Sequence, residues 1–184
     1  FAIPFCKLIL SLNMQQIYLA LILFYTFRVE ERMDIDKFSA HGEVHAHFQA
    51  EQNILHIDLV GPFNLEFMQK YERVVGAQRK NIDTPCWGSL VNVHGLALAP
   101  MEATNAGQEI VSKAVALGLI ATAVVLHETE GVAMQKKFWS RVYESSTLAF
   151  EYFDDTAQAT LWLSEKVLAC LQAHNVNQFN NARR

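Results

Sequence analysis

The sequence predicts an α/β domain: a four- to five-stranded, mainly parallel sheet that opens with an antiparallel hairpin and is packed by about four helices. Three observations predict it. Residues 43–49 and 54–60 alternate apolar and polar side chains with period two around a short polar turn. The run Leu-Ile-Ala-Thr-Ala-Val-Val-Leu at 119–126 is apolar on both faces, the pattern of a strand at the centre of a parallel sheet. Segments of helical spacing separate every strand after the hairpin, so each is reached through a crossover, which implies parallel pairing.

In the first strand Val44, Ala46 and Phe48 alternate with Glu43, His45, His47 and Gln49; in the second, Leu55, Ile57 and Leu59 share a face. The turn Ala50-Glu51-Gln52-Asn53 sets Gln49 opposite Ile54, so His47 opposes His56 and His45 opposes Asp58. Gly61-Pro62 breaks the strand, and Asn64 is an N-cap for a helix through about Lys80, with Leu65, Met68, Tyr71, Val74 and Val75 at helical spacing and Glu66 in its first turn. After Asp83-Thr84-Pro85, residues 89–93 read as a short second-layer strand. A helix is expected from about Thr104 or Asn105 to Leu117, burying Ile110, Val111, Ala114 and Val115 and stopped by Gly118.

A further helix covers about 131–144, and a strand 148–152. The last helix starts at Asp154 or Asp155, with Gln158 placed as in a capping box, and buries Ala159, Trp162, Leu163, Val167, Cys170 and Leu171. The Asn-rich tail from Asn175 is expected to be loose. Right-handed crossovers between neighbouring strands put the helices on one face. The second face of 119–126 therefore needs a cover: a misplaced helix, the N-terminal apolar segment or another subunit.

The 184 residues are 51% apolar, which excludes global disorder, and 15 lysines and arginines against 19 aspartates and glutamates give a net charge of −4. Basic residues cluster only as Arg79-Lys80, Lys136-Lys137 and Arg183-Arg184, which argues against nucleic-acid binding. Cys6, Cys86 and Cys170 are odd in number and widely spaced, the usage of reduced thiols in a cytoplasmic protein.

The N-terminus differs from the rest. Phe1 to Phe27 is rich in Leu, Ile, Phe and Tyr, but its densest run, Ile17 to Tyr25, is nine residues, against the about 20 that cross a bilayer. Asn13, Gln15 and Gln16 interrupt it, which argues against a membrane span, and 26–30 supply no Ala-x-Ala cleavage site for export. Phe1 is no initiator, and Met33 or Met14 is a candidate start. Residues 1–32 are expected to lie outside the functional domain, as a non-native extension or a docked apolar helix, with the domain at 33–174 and a flexible tail at 175–184.

Two constellations carry chemistry. His45, His47 and His56 with Asp58 form a set suited to zinc, though the wet face of an edge hairpin accounts for the same residues. His127-Glu128-Thr129-Glu130 ends the central run, and His94 ends the preceding strand, so His94, His127 and Glu128 could share a cleft. A solvated loop with Thr129 or Glu130 opening a helix explains that stretch equally. There is no GxSxG, Walker loop, GxGxxG or HExxH, so no enzyme and no cofactor is expected. Cys86 beside Trp87 reads as a small core residue, and Phe138, Trp139, Tyr143, Phe153 and Trp162 as the core between the last two helices and the sheet.

Three segments carry a likeness to a known family: the paired strands ending at Val60-Gly61, the aromatic helix 138–143, and the closing 150–163, where a strand enters an Asp-capped helix with an Ala-x-x-Trp-Leu-like stretch at Ala159 to Leu163. Over about 40–172 the chain resembles the STAS superfamily, particularly its SpoIIAA-like branch. The resemblance implies a phosphorylation-controlled switch that binds a partner through the loop and helix after the third strand. Its phosphoacceptor lies in a Met-Asp-Ser-Ser-Gly-like segment, for which this chain has 101–107. Glu102 falls where the aspartate would be, but Ala103 has no hydroxyl at the serine position. Thr104 is a substitute acceptor or a helix N-cap, beside Asn105.

The expected function is thus a non-enzymatic regulatory module acting by protein contacts, with a partner or with itself, through 96–117 and the open sheet face. The alternative is a lipid or small apolar ligand held between sheet and helices.

Overall fold

The computed structural model describes residues 39–127 and 131–181. Expectations for residues 1–32, and for Glu128, Thr129 and Glu130, lie outside the described residues. The chain divides into a unit Phe1–Ser39 and a unit Ala40–Arg184, and the architecture below is that of the second.

Its elements run β1 (Glu43–Gln49), β2 (Ile54–Val60), α1 (Leu65–Arg79), β3 (Trp87–His94), α2 (Met101–Ala116), β4 (Leu119–His127), α3 (Val132–Tyr143), β5 (Ala149–Phe153) and α4 (Thr156–Asn181). The strands form one sheet in sequence order, with β1 and β2 antiparallel and β2 to β5 parallel. This is the predicted α/β architecture, with β4 interior between two parallel neighbours. The hairpin register is the one the turn dictates: Gln49 opposite Ile54, His47 opposite His56 and His45 opposite Asp58. Asn64 caps α1, its Oδ1 accepting from the amides of Phe67 and His41 at 3.0 and 2.9 Å. Asp155 caps α4 by accepting from Gln158 N at 2.8 Å, and Gly118, at φ 94°, ends α2.

Two apolar layers sandwich the sheet. On the first face Leu55, Ile57, Leu59, Val91, Val93 and Val124 meet α1, α2 and α3 through Phe67, Met68, Ala103 and Tyr143. On the second, Ile54, Leu90, Ala121, Ala123 and Val125 lie under Ala159 and Leu163 of α4. The cover required for β4 is therefore the last helix itself, which leaves β5 and returns across the opposite face. A small-residue floor admits it: a Cβ on Gly88 would stand 3.0 Å from Leu163 Cδ2 and 3.3 Å from Val167 Cγ2.

Several expectations are corrected. β3 is not a second-layer strand; it spans Trp87–His94 inside the one sheet, and all but His94 are buried because both faces are covered. α2 begins at Met101, so Thr104 is not its cap. Pro100 takes the cap position in an extended conformation with no side-chain hydrogen bond. α4 does not loosen at Asn175 but continues to Asn181; no Gly or Pro interrupts 156–181, and extending a helix costs far less than nucleating one. The predicted single aromatic core is split, with Trp139 and Tyr143 on the first face and Phe153 and Trp162 on the second.

The thiol reading is also overturned. Cys86 and Cys170, 84 residues apart, form a disulfide with Cα atoms 6.2 Å apart. Their spacing gives no hint of it, since only the passage of α4 across the second face brings them together, and the cysteines no longer argue for a reducing compartment. Among the described residues no helix is long and apolar enough to cross a membrane.

Candidate functional site

The strands β2, β3 and β4 end in register, Val60 beside His94 and His94 beside His127. In open α/β sheets, ligands and partners are met at this carboxyl edge. Just inside it, on the second face, the nearly buried Asn92 organises a polar network. Its Nδ2 donates to Asp58 Oδ1 at 2.9 Å. Its Oδ1 accepts from Thr156 Oγ1 at 3.4 Å and lies 3.2 Å from His127 Nε2. With the amide oriented toward the Asp58 carboxylate, Oδ1 can only accept, so it is Nε2 of His127 that donates. The rings of His94 and His127 stack at 4.6 Å and 9°. The structure thus brings His94 and His127 together as expected and joins Asp58 to them through Asn92, while Glu128 lies outside the described residues.

The proposed metal set is not assembled. His47 and His56 stack face to face at 4.7 Å and 13°, an arrangement that does not converge their nitrogens on a point, and His56 Nε2 pairs with Gln49 Oε1 at 3.0 Å. Among the described residues no group of three or more His, Cys, Asp or Glu could hold a metal ion. The spacing that predicted the cluster is right and the ring orientation defeats it. Burial lowers the His56 pKa below 6.5, the neighbouring His47 lowers it further, and Asp58 opposes both.

At the same edge, toward the first face, the β3–α2 loop of residues 95–100 is clamped from both sides. Gly61 N donates to His94 O and Phe63 N to Leu98 O, each at 3.1 Å. A Cβ on Gly61 would stand 2.4 Å from Leu96 O, so no larger residue fits there. From α3, the fully buried Gln135 accepts from Ala97 N at 3.2 Å, and Trp139 Nε1 donates to Ala97 O at 3.1 Å. Leu96 in this loop, Met101 at the start of α2, and Val132 and Met134 in the first turn of α3 are exposed. Glu102 and Asn105 are exposed on the first turns of α2, whereas Thr104 is half-buried and donates its hydroxyl to Pro100 O at 3.0 Å.

The interior between the sheet and α1, α2 and α3 contains a cavity of about 60 Å³, lined by Leu55, Ile57, Phe67, Tyr71, Ile110 and Tyr143 among others. About two waters would fill it, whereas a cavity that takes up benzene measures about 150 Å³. Burial pushes the Tyr71 hydroxyl up to about 12.

Sequence reasoning missed Asn92 and Gln135. Each carried a signal, being a polar residue on an otherwise apolar stripe, Asn92 among Leu90, Val91 and Val93, and Gln135 in helical register with Trp139 and Val142. In comparisons with known proteins, no family model, no curated protein and no solved structure matches the chain.

Proposed function

We propose that the domain is a non-enzymatic, STAS-like binding module that receives a protein partner on the carboxyl-edge surface built around Leu96, Met101 and Met134. One observation carries this reading: those side chains are 50%, 71% and 55% exposed, yet Leu96 lies in, and Met101 directly follows, a loop fixed by buried hydrogen bonds to α3 and the β2–α1 connection, and Met134 adjoins the Gln135 that holds it. A preorganised apolar surface binds without the entropic cost of ordering a loop, and Met adapts to partners of varied shape. Glu102 and Asn105 supply a polar rim.

The test is a photo-crosslinking residue placed at Leu96 or Met101. A discrete crosslinked protein from these positions, and none from the exposed Leu168 of α4, supports the reading. Equal labelling from all three positions contradicts it.

A further inference from the structure

Among the described residues the two edge strands of the sheet, β1 and β5, differ in kind. β5 is five residues long and runs into Asp154-Asp155, the short, charge-ended form that discourages strand addition. β1 is different. Its seven residues are all paired with β2 without a register shift. It contains no Pro, Lys or Arg, and among the described residues none pairs with its outer side. Such an edge is a template for another strand.

We propose that the occupant is β1 of a second copy of this chain, added antiparallel across a two-fold axis at Ala46, giving a continuous ten-stranded sheet. The strand is self-complementary in that register. On the first face Val44 meets Phe48 of the other copy and Ala46 meets its own counterpart, which extends the half-buried apolar row of Ala46 and Phe48. On the second face His45 lies opposite His47 of the other copy. Glu43 becomes the diagonal neighbour of that same His47, so two carboxylate–imidazole contacts flank the axis. Seven residues a side make a small interface, and the association is accordingly reversible. This inference is independent of the carboxyl-edge surface, because β1 is the outermost strand.

Sedimentation velocity of the full chain over about a hundredfold range of concentration tests it with two variants at exposed or hairpin-face positions. The wild type is expected to pass from monomer to dimer. His45→Lys with His47→Lys places ammonium groups opposite each other and should leave a monomer at all concentrations. His45→Lys with His47→Glu pairs opposite charges across the axis and should restore the dimer, with unchanged circular dichroism in all three. A wild type that stays monomeric overturns the proposal, as does a dimer indifferent to the double lysine variant or a charge-swapped variant that remains monomeric.

Discussion

Leu163 of α4 lies directly over Gly88 of β3, its Cδ2 3.0 Å from where a Cβ on Gly88 would begin. This contact lets one helix close the second face of the sheet. Gly88→Val should therefore destabilise the domain by about 1–3 kcal/mol through overpacking, and Leu163→Ala by about 2–5 kcal/mol through the cavity left behind. Because the second change makes room for the first, the double variant should cost less than the sum in urea denaturation. Strict additivity would mean that the two residues do not touch.

The Cys86–Cys170 bond ties the segment before β3 to the distal half of α4, beyond the last fully buried residue of that helix, Val167. Replacing both cysteines by serine should cost about 2–5 kcal/mol. Hydrogen exchange should accelerate in 168–181 more than in 156–167, which the buried Ala159, Leu163 and Val167 hold to the sheet without the disulfide. Uniform acceleration along α4 would contradict this division.

Asn92→Ala removes the partner of both the Asp58 carboxylate and the His127 Nε2 proton, and should cost about 1–3 kcal/mol. In the wild type, nitrogen NMR should show neutral His127 protonated at Nε2, and the variant should lose that preference. An Nδ1–H tautomer in the wild type would contradict the network.

His56 gives stability a pH dependence. Its pKa in the folded chain lies below 6.5, so as pH falls through the unfolded value the unfolded chain takes up a proton first. Stability is then lost as pH drops below about 6.5, until the folded form also titrates. His47→Gln removes one cause of the depression and should raise the His56 midpoint in a proton NMR titration. No change in that midpoint would remove the proposed coupling.

Elements with local causes were legible in the sequence. The four-residue turn set the hairpin register, Asn64 and Asp155 announced their helices, and the two-sided apolar run of β4 announced an interior strand. What escaped was tertiary. Nothing local tells α4 to cross to the second face, and the Cys86–Cys170 pairing and the split of the aromatic core both follow from that crossing. α2 was read as starting late because Thr104 resembles a cap, whereas its hydroxyl turns back onto the Pro100 carbonyl. The histidines of the hairpin were placed on the right face, but strand spacing does not encode ring orientation, and stacking removed the metal site. His94 and His127 were found by their position at strand ends, while Asn92, which connects them to Asp58, was read only as part of a strand.

The partner-binding role of the carboxyl edge is tested most directly by quantitative affinity capture from the native lysate with the wild type and with a Leu96→Asp, Met101→Lys variant. Both substitutions fall on exposed side chains and should leave the fold intact by circular dichroism. The account predicts a protein enriched on the wild type and depleted at least about tenfold on the variant, the equivalent of about 1.4 kcal/mol. Identical captured sets from two equally folded chains would contradict it.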